Sequence, residues 1–180
     1  MSAAVDLFVI RHAIAVPRGG GQPDGERPLT LRGRDRFALE VLGLDFLGLH
    51  FETVYHSPLR RTAETAALLL PVTRGEIQPS DTLARAPDEE VLALPRGAAS
   101  VALVGHEPWC GELVAWLAVG DRERGGAFPF KKGGVVWLRG AVAPGCMELR
   151  AALPPKVLRA LGDGGDAGPG GGRALPGAVP

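Results

Sequence analysis

The 180-residue sequence predicts an α/β fold with parallel strands flanked by helices. Three observations predict it. Three short apolar runs, at Val5–Ile10, Thr53–Tyr55 and Ser100–Val104, are rich in β-branched and aromatic residues. Such continuous runs suit strands covered on both faces. The second and third are followed by residues at helical spacing: Ala63, Ala66, Ala67 and Leu70, then Leu113, Trp116 and Leu117. Each run also ends in polar residues that can do chemistry: Arg11-His12, His56-Ser57 and Gly105-His106.

The elements follow in order. After the first strand, residues 17–26 (Pro-Arg-Gly-Gly-Gly-Gln-Pro-Asp-Gly-Glu) are too rich in glycine and proline for regular structure. This segment is read either as a substrate-facing flap or as a plain surface loop. Thr30 is a plausible N-cap for the long helix that follows, with Phe37, Val41 and Leu44 as its apolar stripe. The second strand and helix come next, then a short strand near Ile77. Asp88-Glu89-Glu90 reads as the acidic first turn of a helix running from Asp88 to Leu94. Two strands are expected beyond the helix that contains Trp116, at Val135–Arg139 and Met147–Ala152. Pro154-Pro155 opens a short helix to Leu161. Residues 1–161 are expected to form one catalytic domain, and 162–180 a Gly/Pro-rich disordered tail.

The strand ends carry the functional reading. In open α/β sheets, ligands bind outside the carboxyl ends of the parallel strands, where helix N-termini offer N–H groups to anions. His12, Arg61 and His106 would therefore meet at one edge. A permanent cation beside His12 favours the neutral imidazole, which is a nucleophile. Arg11 can clamp an anionic oxygen pair. Together these suggest phosphoryl transfer through a phosphohistidine intermediate. Arg60 is read as a solvated cation at the helix start. His56 either lines the pocket or is a satisfied loop histidine, and His50 reads as a helix-end residue. Ser57 lacks a nucleophile elbow, so it is expected to cap or to hydrogen-bond near the phosphate.

Taken together, Arg11-His12-Ala13, Ser57-Pro58-Leu59-Arg60-Arg61 with Thr65, and Gly105-His106 resemble the three motifs of the histidine phosphatase superfamily. Within it, Arg27-Pro28-Leu29-Thr30, Gly105-His106-Glu107-Pro108 and Lys131-Lys132-Gly133-Gly134 look like the small phosphohistidine phosphatases of the SixA type. The resemblance covers roughly residues 5–160. It implies a three-layer α/β/α, phosphoglycerate-mutase-like fold with a mostly parallel central sheet. It also implies His12 as nucleophile, Arg11 and Arg61 as phosphate-binding arginines, and His106 as the second pocket histidine. Arg27 would lie near the pocket, with Ser57 and Glu107 as further substrate-binding candidates. Lys131 and Lys132 would sit on the rim, or be no more than a solvated pair. Ala13 departs from the family glycine, and would be strained if a positive φ were needed there.

No carboxylate between the second and third motifs stands in a recognisable acid position; Glu76, Asp81, Asp88, Glu89 and Glu90 all lie there. Glu107 is the runner-up, though a helix N-terminal role serves it equally well. A phosphate ester needs a proton for its leaving alkoxide, whereas a phosphohistidine leaves as imidazole. The expected activity is therefore removal of phosphate from a phosphohistidine of a signalling protein such as a phosphotransfer domain. Alternatives are a small-molecule phosphomonoesterase or mutase acting on a metabolite, and a non-catalytic phosphate-binding module. Lys plus Arg equals Asp plus Glu at 20 each, which gives no support for nucleic-acid or membrane partners. No metal-ligand spacing and no cofactor motif is found. Cys110 and Cys146 suit a reducing compartment, and no signal peptide or membrane span is seen, so a cytoplasmic protein is expected.

Overall fold

The computed structural model describes residues 4–19 and 21–164. Six strands form one sheet: β1 (Val5–Arg11), β2 (Thr53–His56), β3 (Ile77–Pro79), β4 (Ser100–Gly105), β5 (Val135–Gly140) and β6 (Met147–Leu153). Their order is β3-β2-β4-β1-β5-β6. The β3–β2, β2–β4 and β4–β1 pairings are parallel, while β5 and β6 run antiparallel on one side. The four parallel strands thus present their carboxyl ends at one edge. Pro79, which cannot donate to a ladder, is tolerated because β3 is an edge strand.

Both faces of β1 are buried, as its unbroken apolar run requires. Leu7 and Val9 face a core built with α3 (Trp109–Val119), chiefly Leu113, Val114 and Leu117, and with Leu83, Val91 and Leu92. Phe8 and Ile10 face a second core with α1 (Leu31–Phe46), α2 (Arg60–Leu68) and α4 (Pro155–Gly164). The result is three layers. Phe37, Val41 and Leu44 form the buried stripe of α1, and Thr30 Oγ1 caps it by accepting from Gly33 N–H at 2.9 Å. Glu40 lies in the same stripe and is buried against Arg159 of α4. Burial raises the Glu40 carboxyl to about 7 even though Arg159 opposes the shift.

Three elements differ from expectation. In α2 the buried face is Arg61, Thr62, Thr65 and Ala66, with Leu69 beyond; Ala67 and Leu70 are exposed. The helix is rotated because its inward face is polar and serves the sheet edge, so apolar spacing misleads. The expected helix from Asp88 to Leu94 is only a 3-10 turn, Val91–Ala93. Asp88 and Glu90 are drawn to Arg85, Asp88 accepts from Glu90 N–H at 3.0 Å, and Pro95 follows at once. Finally, α4 runs past Leu161 to Gly164. A Cβ on Gly162 would collide with the Leu39 carbonyl, and one on Gly43 with the Leu158 carbonyl. These glycines let α1 and α4 touch backbone to backbone, so Gly162 is a packing residue. Residues 165–180, most of the expected tail, lie outside the described residues. Cys110 and Cys146 are both free.

Candidate active site

The parallel register puts the functional residues side by side. Arg11 is level with Gly105, and His12 N–H donates to the Gly105 carbonyl at 2.9 Å. His12 and His106 therefore leave adjacent strands at the same edge. Ser57 N–H donates to the Val104 carbonyl at 3.2 Å, which brings β2 and the first turn of α2 to that edge.

His12 is buried, and its Nδ1 lies 2.7 Å from the Ala13 carbonyl oxygen. Nδ1 must carry the proton to make that bond, so Nε2 keeps its lone pair. The imidazole is pushed down from 6.5 to about 4. Burial is the main cause, with Arg61, Arg11 and Lys132 adding to it; the flanking cation is a lesser influence than the sequence suggested. Ala13 needs no glycine, since among the described residues only glycines have positive φ. Its N–H donates to Thr65 Oγ1 at 3.0 Å, and Thr65 in turn donates to the Arg61 carbonyl at 2.6 Å. Thr65 thus pins α2 to the residue that follows the nucleophile candidate.

Arg11 Nη1 donates to the Phe130 carbonyl at 2.5 Å. Arg61, only 4% exposed, donates from Nη1 to the Asp24 carbonyl at 2.8 Å, and its Nη2 lies 3.2 Å from Asp24 Oδ2. Burial lowers the affinity of Arg61 for its proton, and Asp24 opposes that. His106 is also lowered, first by burial and then by Arg61 and Arg11, so it is neutral near pH 7 in this state. Among the described residues, the buried side-chain nitrogens with no partner are Arg11 Nε, Arg61 Nε, His106 Nδ1 and Trp109 Nε1. Three of those four belong to this one strand edge. Burying donors unpaired is costly, and an anion with several oxygens would satisfy them.

The remaining candidates fare differently. Arg27 is buried, but its fork is taken up by Asp24 Oδ1 (Nε 3.0 Å, Nη2 2.9 Å) and by the Val16 carbonyl (2.6 Å). It is linked to Arg61 through Asp24. Ser57 is fully buried with Oγ 2.7 Å from Thr62 Oγ1, a staple of the β2–α2 turn and not a substrate contact. Glu107 is tied to the backbone at both oxygens: Oε1 accepts from Phe130 N–H at 2.8 Å and Oε2 from Gly111 N–H at 3.2 Å. It holds the backbone segment whose Phe130 carbonyl holds Arg11. Arg60 pairs with Glu64 at 2.8 Å on the surface, as expected. His56 is the last residue of β2, its Nδ1 2.7 Å from the Ser57 carbonyl oxygen. His50 binds Asp45 near the end of α1 at 3.0 Å. Gly133 N–H meets the Arg11 and His12 carbonyls at 3.0 and 3.2 Å, so the Lys131-Lys132 turn abuts the strand end.

Sequence reasoning missed Asp24. Its carboxylate joins Arg18 (2.8 Å), Arg27 and Arg61. The Arg18 hydrogen bond, with help from Arg61 and Arg27, holds it down at about 2. The signal available was an acid three residues before Arg27 in a loop that also carries Arg18. The loop is closed at its base by the Ala15–Leu29 bridge and contains a 3-10 turn at Asp24–Glu26. Among the described residues, no group of three or more His, Cys, Asp or Glu could hold a metal ion, and no helix is long and apolar enough to cross a membrane.

A parallel strand edge that gathers two histidines and two arginines, inside three layers, defines an α/β enzyme of the phosphoglycerate-mutase-like fold. Comparison with known proteins gives the family. Residues 7–86 match the model of the histidine phosphatase superfamily (branch 1). A curated but uncharacterized protein of Picosynechococcus sp. is 36% identical over 147 residues, covering 77% of this chain and 87% of its own length. The chain belongs to the histidine phosphatase superfamily. Among solved structures, the protein histidine phosphatase SixA complexed with tungstate is similar at TM-score 0.72 and 24% identity, over 86% of this chain and 99% of that one. Phosphoglycerate mutase from Bacillus anthracis is similar at TM-score 0.65 and 16% identity, over 90% and 98%. At these identities the likeness is one of fold.

Proposed function

We propose that this chain is a phosphatase whose His12 becomes transiently phosphorylated, and that its substrate is a phosphohistidine on a protein. The observation that carries the reading is the set of unpartnered buried nitrogens on Arg11, Arg61 and His106 beside a neutral His12. In the first step the Nε2 lone pair of His12 attacks phosphorus in line. A P–N bond forms to His12, the substrate's P–N bond breaks, and the departing imidazole carries a proton. Arg11 and Arg61 hold the equatorial oxygens; such fixed electrostatics are usually the largest catalytic contribution. In the second step water attacks phosphorus, the bond to Nε2 breaks, and inorganic phosphate leaves.

The choice of a P–N substrate rests on the carboxylates. Asp24, held near 2, keeps almost no proton at neutral pH. Glu107 has both oxygens on backbone donors. Neither suits protonation of a leaving alkoxide, whereas a protonated imidazole needs no such help. The SixA–tungstate structure supports the reading, because tungstate is a tetrahedral oxyanion. The test is a panel: a phosphohistidine peptide, a phosphoserine peptide, phosphoglycerates and sugar phosphates. Phosphohistidine should be turned over fastest, with label trapped on the wild-type protein and none on His12→Ala. Strong preference for phosphoserine or a metabolite would overturn the substrate assignment. Phosphate bound without turnover would overturn the enzymatic one.

A further inference from the structure

Beside the strand edge lies a second cleft of about 500 Å³, walled by α1, the Lys131-Lys132 turn and the start of α4. It does not include His12, Arg61 or His106, but it begins at Arg11 and Ala13, the neighbours of His12. Six cations line it: Arg11, Arg36, Lys131, Lys132, Lys156 and Arg159. The single carboxylate among its lining residues is Glu40, and Arg159 is bonded to it. None of the other five forms an ion pair among the described residues. The whole chain carries equal numbers of acidic and basic residues, so this is a local concentration of charge and not a reflection of a basic protein. Like charges so gathered repel one another, and an anionic partner would relieve that repulsion.

We propose that this cleft docks an acidic stretch of the phosphoprotein substrate, next to its phosphohistidine. The inference rests on the reading of His12 as phosphoryl acceptor. The cations come from four separate segments, and Lys131, Lys132 and Lys156 are exposed on long flexible stems. Such a spread suits several carboxylates along a chain better than one compact dianion. The cleft is also anchored to the reaction centre, since Gly133 N–H is bonded to the carbonyls of both Arg11 and His12. A peptide whose phosphohistidine reached His12 would carry residues two to four positions away a further roughly 7–14 Å, at about 3.4 Å per residue.

The experiment compares two phosphohistidine peptides, identical except that glutamates at two to four positions from the phosphohistidine in one are glutamines in the other. The wild-type protein should favour the glutamate peptide roughly tenfold in kcat/KM at low salt, and the preference should fade as ionic strength rises. In the double variant Arg36→Gln/Lys156→Gln the ratio should fall close to one. Because the readout is a ratio within one protein sample, partial loss of folded protein cancels. The salt titration of the wild type needs no variant at all. Equal rates for the two peptides on the wild type would overturn the docking proposal while leaving phosphohistidine hydrolysis intact. So would a preference unchanged in the double variant, or acceleration only with small bisphosphorylated compounds. A wild type that ignored both peptides but hydrolysed phosphate esters would overturn the substrate reading and the docking with it.

Discussion

Substituting His12 by glutamine should flatten the dependence of stability on pH. In the folded chain the imidazole is held at about 4, against an ordinary 6.5, mainly because it is buried. Between those values the unfolded chain binds the proton and the folded one does not. A depressed folded value means that the stability is fully present above 6.5 and is lost as pH falls toward 4. Each tenfold in proton affinity is worth about 1.36 kcal/mol, so the full swing is about 3 kcal/mol. Most of it falls within an accessible window: between about pH 7 and about pH 5 the wild type should lose about 2 kcal/mol that the variant keeps. His106 and Glu40 titrate in both proteins, so their contributions cancel in the comparison. The assay is urea unfolding of wild type and His12→Gln at the two pH values, with the His12 ring titration followed by NMR. Parallel slopes, or a ring midpoint near 6.5, would refute the claim that His12 is kept neutral by burial.

The other predictions concern the residues around it. Arg61→Ala should lower kcat by about 10²-fold or more, the scale for losing one preorganised donor to developing charge, with far-ultraviolet circular dichroism unchanged. Asp24→Asn should raise KM, because Arg61 and Arg27 lose the carboxylate that fixes the position of both guanidinium groups. Its carboxylate is 43% exposed, so urea unfolding should show a stability loss of no more than about 1 kcal/mol. Glu107→Ala leaves the Phe130 and Gly111 N–H groups without their acceptor. At about 2 kcal/mol the melting temperature should fall by roughly 4–8 °C. KM should also rise, because the Phe130 carbonyl that steadies Arg11 is freed.

The sequence made the sheet legible because continuous apolar runs such as Leu7–Ile10 have few alternatives to a strand covered on both faces. It made Arg11, His12 and His106 legible because a strand end followed by reactive side chains is a local pattern. Failures came where a residue's partner lies far along the chain. The inward face of α2 holds Arg61, Thr62 and Thr65, and only the folded sheet edge explains why polar groups are buried there. Asp24 looks like one more loop acid until the fold carries it to Arg61, 37 positions away. Glu107, adjacent to His106, invites a chemical role; its actual partners, Gly111 and Phe130, are backbone groups that no pattern advertises. Gly162 reads as the start of a low-complexity tail, yet its lack of a side chain is what lets α4 lie against α1.

The two imidazoles at the strand edge stand in unlike fields, and on the proposed reaction that difference divides the work. Both are depressed first by burial, then by Arg61 and Arg11. His12 also feels Lys132, whereas His106 feels Asp24, whose negative charge pulls the other way. A proton entering the site is therefore better received at His106 than at His12. When a phosphoryl dianion arrives, its charge raises both rings, and at His106 it acts in the same direction as Asp24. His12 is held back by burial, Arg61, Arg11 and Lys132 against the Ala13 hydrogen bond, which favours the charged ring; that bond fixes the proton on Nδ1 and leaves the lone pair for attack on Nε2. Environments that push paired titratable groups apart mark acid from base. Asp24, through its place beside Arg61 and its pull on His106, favours that ordering without touching the reacting atoms.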